Sequence, residues 1–182
     1  MNMRQRRIKQ PFIAITRHPY EGEAIVKALE LLPHTQLFRP GDTVVVVPNL
    51  VKNQPPASGT ITGPGTLQRL LLYLQDFQPA RLVIAAGSGG DPTPLVLQQQ
   101  GFLNVIQETG GEFVDLNYGP YLELKLNHPL LPVLQVNRLL AEADVIISLA
   151  QIKVHQEATV TLGIKNIALS WPPAELHGFP KT

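Results

Sequence analysis

ADVIISLAQIKVHQEATVTLGIKN, residues 143–166, decides how the chain is read. Val145–Leu149 has the apolar, partly β-branched character of a core strand. It runs directly into Lys153, His155, Thr159, Thr161, Lys165 and Asn166. In α/β sheets ligands collect beyond the carboxyl ends of the strands, so this succession places a candidate site just past the strand. Two lysines, a histidine and two hydroxyls offer many donors, and Glu157 is the one carboxylate among them. A set so rich in donors suits an anion better than a cation.

Outward from that stretch, apolar periodicity alternates between strand and helix. Phe12–Thr16 reads as a first strand, and Ala24, Ile25, Ala28, Leu29 and Leu32 fall at helical spacing before Pro33. Thr43–Val47 contains four successive valines, the pattern of a strand covered on both faces. Residues 52–65 are rich in Pro, Gly, Ser and Thr and read as a loop, followed by a helix from Thr66 to about Phe77 with Leu67, Leu70, Leu71 and Leu74 on one side. Arg81–Ala86 is the next strand. The turn GSGGDPTP, residues 87–94, leads to a helix with Thr93 as N-cap, running to Thr109 with an interruption at Gly101. Glu112–Asn117 reads as a less buried strand, Tyr121–Leu126 as a half-exposed edge strand, and Leu131–Ala143 as a helix. The expectation is an α/β fold: an open, mostly parallel sheet of about five strands with helices on both faces, a three-layer sandwich.

Length and composition narrow the classes. A chain of 182 residues suits one domain, here 11–182, after a basic tail 1–10 carrying Arg4, Arg6, Arg7 and Lys9. With no cysteine, the chain offers no disulfide, no thiolate zinc site and no cysteine-ligated iron–sulfur cluster. A net charge of +1 supplies little field for nucleic acid. No apolar run reaches the roughly 18 residues of a membrane span, and none of signal-peptide length follows Arg6-Arg7, so the expected compartment is the cytoplasm.

In a parallel sheet the strand-to-helix loops open on one edge. Asn49 with the 52–65 loop, the 87–93 turn, Asn117, and the 153–166 run are therefore expected to converge. In the turn, Ser88, Gly89, Gly90 and Thr93 could present backbone N–H groups to an anion. The spacing matches neither the Rossmann fingerprint nor the Walker sequence, and the turn reads equally as a tight reversal with a helix cap. Lys153 and His155, two apart in an extended segment, share a face; Thr161 and Lys165 share one if the segment after Ala158 is helical. The alternative is that both lysines are ordinary solvated side chains and His155 a loop residue. His155 is the candidate proton-transfer group because its unperturbed pKa lies near neutrality. A metal held by His155 and His177 lacks a nearby carboxylate pair, and no GxSxG elbow marks a nucleophile.

VVVVPNLV (44–51), LVIAAGSGG (82–90), GFLNVIQETGGEFVDLN (101–117) and the 143–166 stretch with a histidine shortly after it resemble the domain of unknown function 362 family, over about Thr43 to Gly178. The family pattern of aspartate, apolar strand, lysine-x-histidine, threonine and lysine-asparagine falls on Asp144, Lys153, His155, Thr159, Thr161, Lys165 and Asn166, with His177 as the trailing histidine. The resemblance implies an α/β fold with a rim site that includes Asn49. Where the family carries lysine before the proline, this chain has Val47. Relatives are longer, and many are fused to ferredoxin-type clusters, which implies a redox partner protein; the cofactor stays unknown. The functional expectation is a small phosphate- or carboxylate-bearing ligand held at the sheet edge, with catalysis left open. The alternative is a non-catalytic subunit or truncated copy that completes its fold with a partner or by self-association, because Trp171 and Phe179 in WPPAELHGFP look uncovered.

Overall fold

Four successive β-branched residues point side chains to both faces of a strand, and only a sheet covered by two apolar layers buries them all. The computed structural model describes residues 6–155 and 159–178 and builds that arrangement around Val44–Val47. The main elements in chain order are α1 (Glu23–Glu30), α2 (His34–Leu37), β1 (Thr43–Pro48), α3 (Pro64–Gln75), β2 (Arg81–Ala86), α4 (Thr93–Gln99), α5 (Phe102–Thr109), β3 (Glu112–Asp115), β4 (Tyr121–Lys125), β5 (Val133–Asn137), α6 (Leu139–Glu142), β6 (Val145–Leu149), β7 (Lys153–His155), β8 (Thr159–Thr161), α7 (Gly163–Ser170) and α8 (Ala174–His177). A short 3-10 turn, Pro56–Ser58, interrupts the long loop after β1.

The parallel sheet runs β3-β2-β1-β6. Val45 lies between Val83 and Ile146, and Val46 between Ile84 and Ile147. On one face, Val44 and Val46 bury against Leu67, Leu70, Leu71 and Leu74 of α3, with Val96, Phe102 and Val105 from α4 and α5. On the other, Val45 and Val47 meet Leu116, Val136, Leu139, Ala143 and Trp171, with Ile167 of α7 alongside. Helices therefore flank both faces, although much of the second layer is the antiparallel β4-β5 hairpin.

Several local readings change. Phe12–Thr16 forms no strand: Ile13 and Ile15 are about nine-tenths exposed, and among the described residues no sheet edge receives them. Leu131–Ala143 is not one helix; Val133–Asn137 pairs with β4, and only the four residues of α6 are helical. Its apolar residues bury equally well on one face of a hairpin, so tertiary pairing overrides the helical spacing. The fifth strand, Tyr121–Lys125, lies in that hairpin rather than in the four-stranded sheet. Thr93 is the first residue of α4, and Pro92 occupies the cap position. Within the basic segment, Arg7 forms a two-point ion pair with buried Asp42 at 2.6 and 2.7 Å. The hydrogen bond from Arg7 holds the Asp42 carboxyl below its ordinary range. Arg4 and Phe179 lie outside the described residues; Trp171 is not uncovered but only 4 % exposed, within the second core.

The strand order sets up the site. From β1 the chain steps to β2 and β3 on one side, then returns to place β6 on the other. At this reversal, between the carboxyl ends of β1 and β6, open α/β sheets usually take their ligands.

Candidate functional site

Asn49 follows directly on β1, at the carboxyl edge of the sheet. Its N–H donates to Leu149 O at 3.2 Å and to Thr62 Oγ1 at 3.0 Å, and the Thr62 hydroxyl donates to Leu149 O at 2.8 Å. Thr62 N–H returns a bond to Asn49 O at 2.9 Å. The long loop is thus tied back to the ends of two strands. The Asn49 side chain then links two distant segments: Nδ2 donates to Asn166 Oδ1 at 3.1 Å, and Oδ1 accepts from Lys153 Nζ at 2.6 Å. Asn166 Nδ2 donates to Val47 O at 2.9 Å and to Ser148 Oγ at 3.2 Å. Both asparagines are buried. An amide is the side chain suited to this position, because it accepts on one side and donates on the other.

Lys153 is the charged group in this network. Its ammonium also donates to Thr60 O, so two of its three N–H donors hold it at the tip of β1. Burial pushes its pKa down to about 8, and the positive charges of Lys165 and Lys52 act in the same direction. The two oxygen acceptors favour the charged form and oppose that shift. Lys153 therefore bears a proton at neutral pH and can shed it under mildly basic conditions.

The β2–β3 side of the rim is built differently. Gly89 and Gly90 N–H both donate to Val51 O, at 3.1 and 3.0 Å, and the Ser88 hydroxyl donates to the same oxygen at 2.9 Å. Asn117 Nδ2 donates to Ser88 O at 2.9 Å and to Thr93 Oγ1 at 3.3 Å. Thr93 Oγ1 also accepts Ser88 N–H at 3.1 Å. The glycine turn thus spends these donors on the chain itself rather than holding them open as an anion cradle. Gly87 is required for this packing, since a Cβ there would sit 2.4 Å from Asn117 Oδ1. The Asp91 carboxylate accepts Asn53 N–H at 2.7 Å.

Of the residues singled out from sequence, Asn49, Lys153 and Asn166 are joined by direct hydrogen bonds, and Lys165 lies within electrostatic reach. Thr161 is opposite Lys153 in the β7-β8 hairpin, and His155 is opposite Thr159 at the hairpin's far end. The helical reading of Thr161 with Lys165 gives way to a strand ending at Thr161 and a helix starting at Gly163. Ser88, Gly89, Gly90 and Thr93 form the separate β2–β3 cluster. His177 belongs near that side, because Glu175 N–H in its helix donates to Asn117 O at 2.9 Å; His177 Nε2 is buried without a partner among the described residues. Glu157 lies outside the described residues. Sequence reasoning passed over Thr60, Thr62, Ser148 and Lys52. The available signal for Ser148 was a lone hydroxyl inside an apolar strand.

A family model described as "Domain of unknown function (DUF362)" matches residues 44–180, most of the chain. The curated Thylakoid-associated protein sll1697 of Synechocystis sp. (strain ATCC 27184 / PCC 6803 / Kazusa) is 27% identical over 155 residues, covering 81% of this chain and 46% of that protein. The chain thus spans about half the length of that relative. No solved structure matches. Among the described residues no helix is long and apolar enough to cross a membrane.

Proposed function

The chain belongs to the domain of unknown function 362 family, and from that premise we propose that it binds a small phosphate- or carboxylate-bearing anion at the carboxyl edge of its sheet. The observation that carries this reading is the placement of Lys153: its ammonium is fixed by Asn49 Oδ1 and Thr60 O at the carboxyl ends of β1 and β6, with Lys165 and Lys52 close enough to act on its charge. An enzymatic role would draw on His155, or on Lys153 in its neutral form, for proton transfer. The proposed compartment is the cytoplasm.

Thermal-shift screening against phosphates and carboxylates tests the reading. A ligand at 100 times its Kd stabilises the native state by about 2.7 kcal/mol, and this shift is expected to vanish in a Lys153→Ala/Lys165→Ala double variant. An unchanged shift in that variant would sink the proposal. pH adds a signature to the same experiment. The ammonium of Lys153 is lost as pH rises through about 8, so wild-type affinity is expected to fall above pH 8. In Lys153→Met that inflection should be absent.

A second reading, self-association, is favoured by one feature. Among the described residues no strand pairs with the outer edge of β6, where Ile146 is partly exposed, and Val154 of the following hairpin is 90% exposed. Uncharged open edges invite strand pairing. Sedimentation of the isolated chain decides it: a dimer supports this reading, and a monomer at micromolar concentration dismisses it.

A further inference from the structure

Thr161 poses a problem that the anion reading alone does not resolve. The residue is 2 % exposed, and its hydroxyl has no hydrogen-bond partner among the described residues. A buried hydroxyl without a partner is a standing cost to the fold. Thr161 lies directly across from Lys153 in the β7-β8 ladder, and directly opposed residues project to the same face of a hairpin. The orphan hydroxyl and the held ammonium therefore share one side.

Two residues further on, α7 begins. Leu162 at its cap position makes no side-chain capping bond, and the first bond of the helical ladder is Asn166 N–H to Leu162 O at 2.9 Å. The N–H groups of Gly163, Ile164 and Lys165 precede that bond, where a helix has no internal acceptor for them and where its dipole is positive. Ser148 Oγ donates to Gly163 O at 3.2 Å and fixes this helix start against β6. Lys165 is in the first turn. Lys52 reaches the same rim from the other side, its stem against Gly90, where a Cβ would lie 3.0 Å from Lys52 Cγ.

We propose that the start of α7, the Thr161 hydroxyl and the ammonium groups of Lys153, Lys165 and Lys52 form a phosphate site, and that its ligand is a diphosphate-bearing molecule. The proposal rests on the anion-binding reading and narrows it. A phosphate is a tetrahedral acceptor that can take a hydroxyl, helix N–H groups and ammonium groups at once. A carboxylate has two coplanar oxygens and a single charge. Coulombic attraction to the Lys153 and Lys52 ammonium groups and to the positive end of α7 grows with ligand charge, so a diphosphate gains most from this geometry.

Isothermal titration of the full chain at fixed ionic strength, using sodium pyrophosphate, inorganic phosphate and malonate, provides the test. Pyrophosphate is expected to bind at least about tenfold more tightly than malonate. Thr161→Val should weaken pyrophosphate about tenfold, by the loss of one charge-assisted hydrogen bond, while melting at the same temperature or higher because a methyl replaces an orphan hydroxyl. Thr161→Ser should restore the affinity. If Thr161→Val does not fold, Lys52→Gln at its exposed position carries the test, with the same tenfold loss expected for pyrophosphate. Malonate binding as tightly as pyrophosphate, and depending on Lys153 and Lys165, overturns the phosphate site and leaves the anion reading standing. Pyrophosphate affinity unchanged in Thr161→Val, or in Lys52→Gln where that variant is needed, also overturns it. Binding of none of the three probes removes both.

Discussion

Replacing Asn166 with alanine is expected to lower stability by about 3 kcal/mol, which in a chain of this size lowers Tm by about 6–12 °C. The side chain is 4 % exposed and makes three hydrogen bonds, from Asn49 Nδ2 and to Val47 O and Ser148 Oγ. Alanine removes all three and leaves buried groups behind without partners, a larger penalty than the loss of exposed bonds. The effect should extend to function. With Asn166 gone, Asn49 Nδ2 loses its acceptor, and the orientation that presents Oδ1 to Lys153 depends on the lysine bond alone. Anion-induced stabilisation is therefore expected to fall along with Tm. Chemical denaturation of the variant gives the energy; a loss below about 1 kcal/mol would mean that the network is not cooperative.

Phe102→Ala should cost about 3–5 kcal/mol, the range for emptying a fully buried aromatic position. Phe102 opens α5 after Gly101, which takes the left-handed conformation at φ 80°, and its ring is 0 % exposed in the cluster that joins α3, α4 and α5 to the sheet. The control is Ile15→Ala. Ile15 belongs to an equally apolar run yet is 90% exposed, so its change should stay within about 0.5 kcal/mol. Urea denaturation of the two variants side by side checks the assignment of the core. Similar losses at both positions would show that the segment before α1 is buried after all.

These two residues mark where sequence reading succeeds and where it stops. Phe102 sits in a helix whose spacing and flanking glycines announce it, while Phe12–Thr16 has the same local character as a true strand. Nothing local distinguishes a run that finds a sheet edge from one that does not. The Leu131–Ala143 segment failed for a related reason: apolar positions compatible with a helix also alternate well enough for β5, and pairing with β4 decided between them. At the candidate site, Lys153 and Asn166 were visible as polar residues crowded behind a buried strand. Thr60 was not, because it contributes its carbonyl oxygen, and every residue has one.

Within the chain itself, the valine run of β1, the apolar strand before Lys153 and the regular alternation of elements fixed a parallel α/β sheet with its polar residues at the carboxyl ends, since those patterns depend on local spacing and burial alone. Tertiary structure decided which loops touch. It brought Asn49, Lys153 and Asn166 together across more than a hundred residues, turned the glycine loop's donors inward onto Val51, and left the Thr161 hydroxyl buried beside a lysine. Those outcomes follow from strand order and from competition among donors for the same few acceptors, which only the assembled sheet sets.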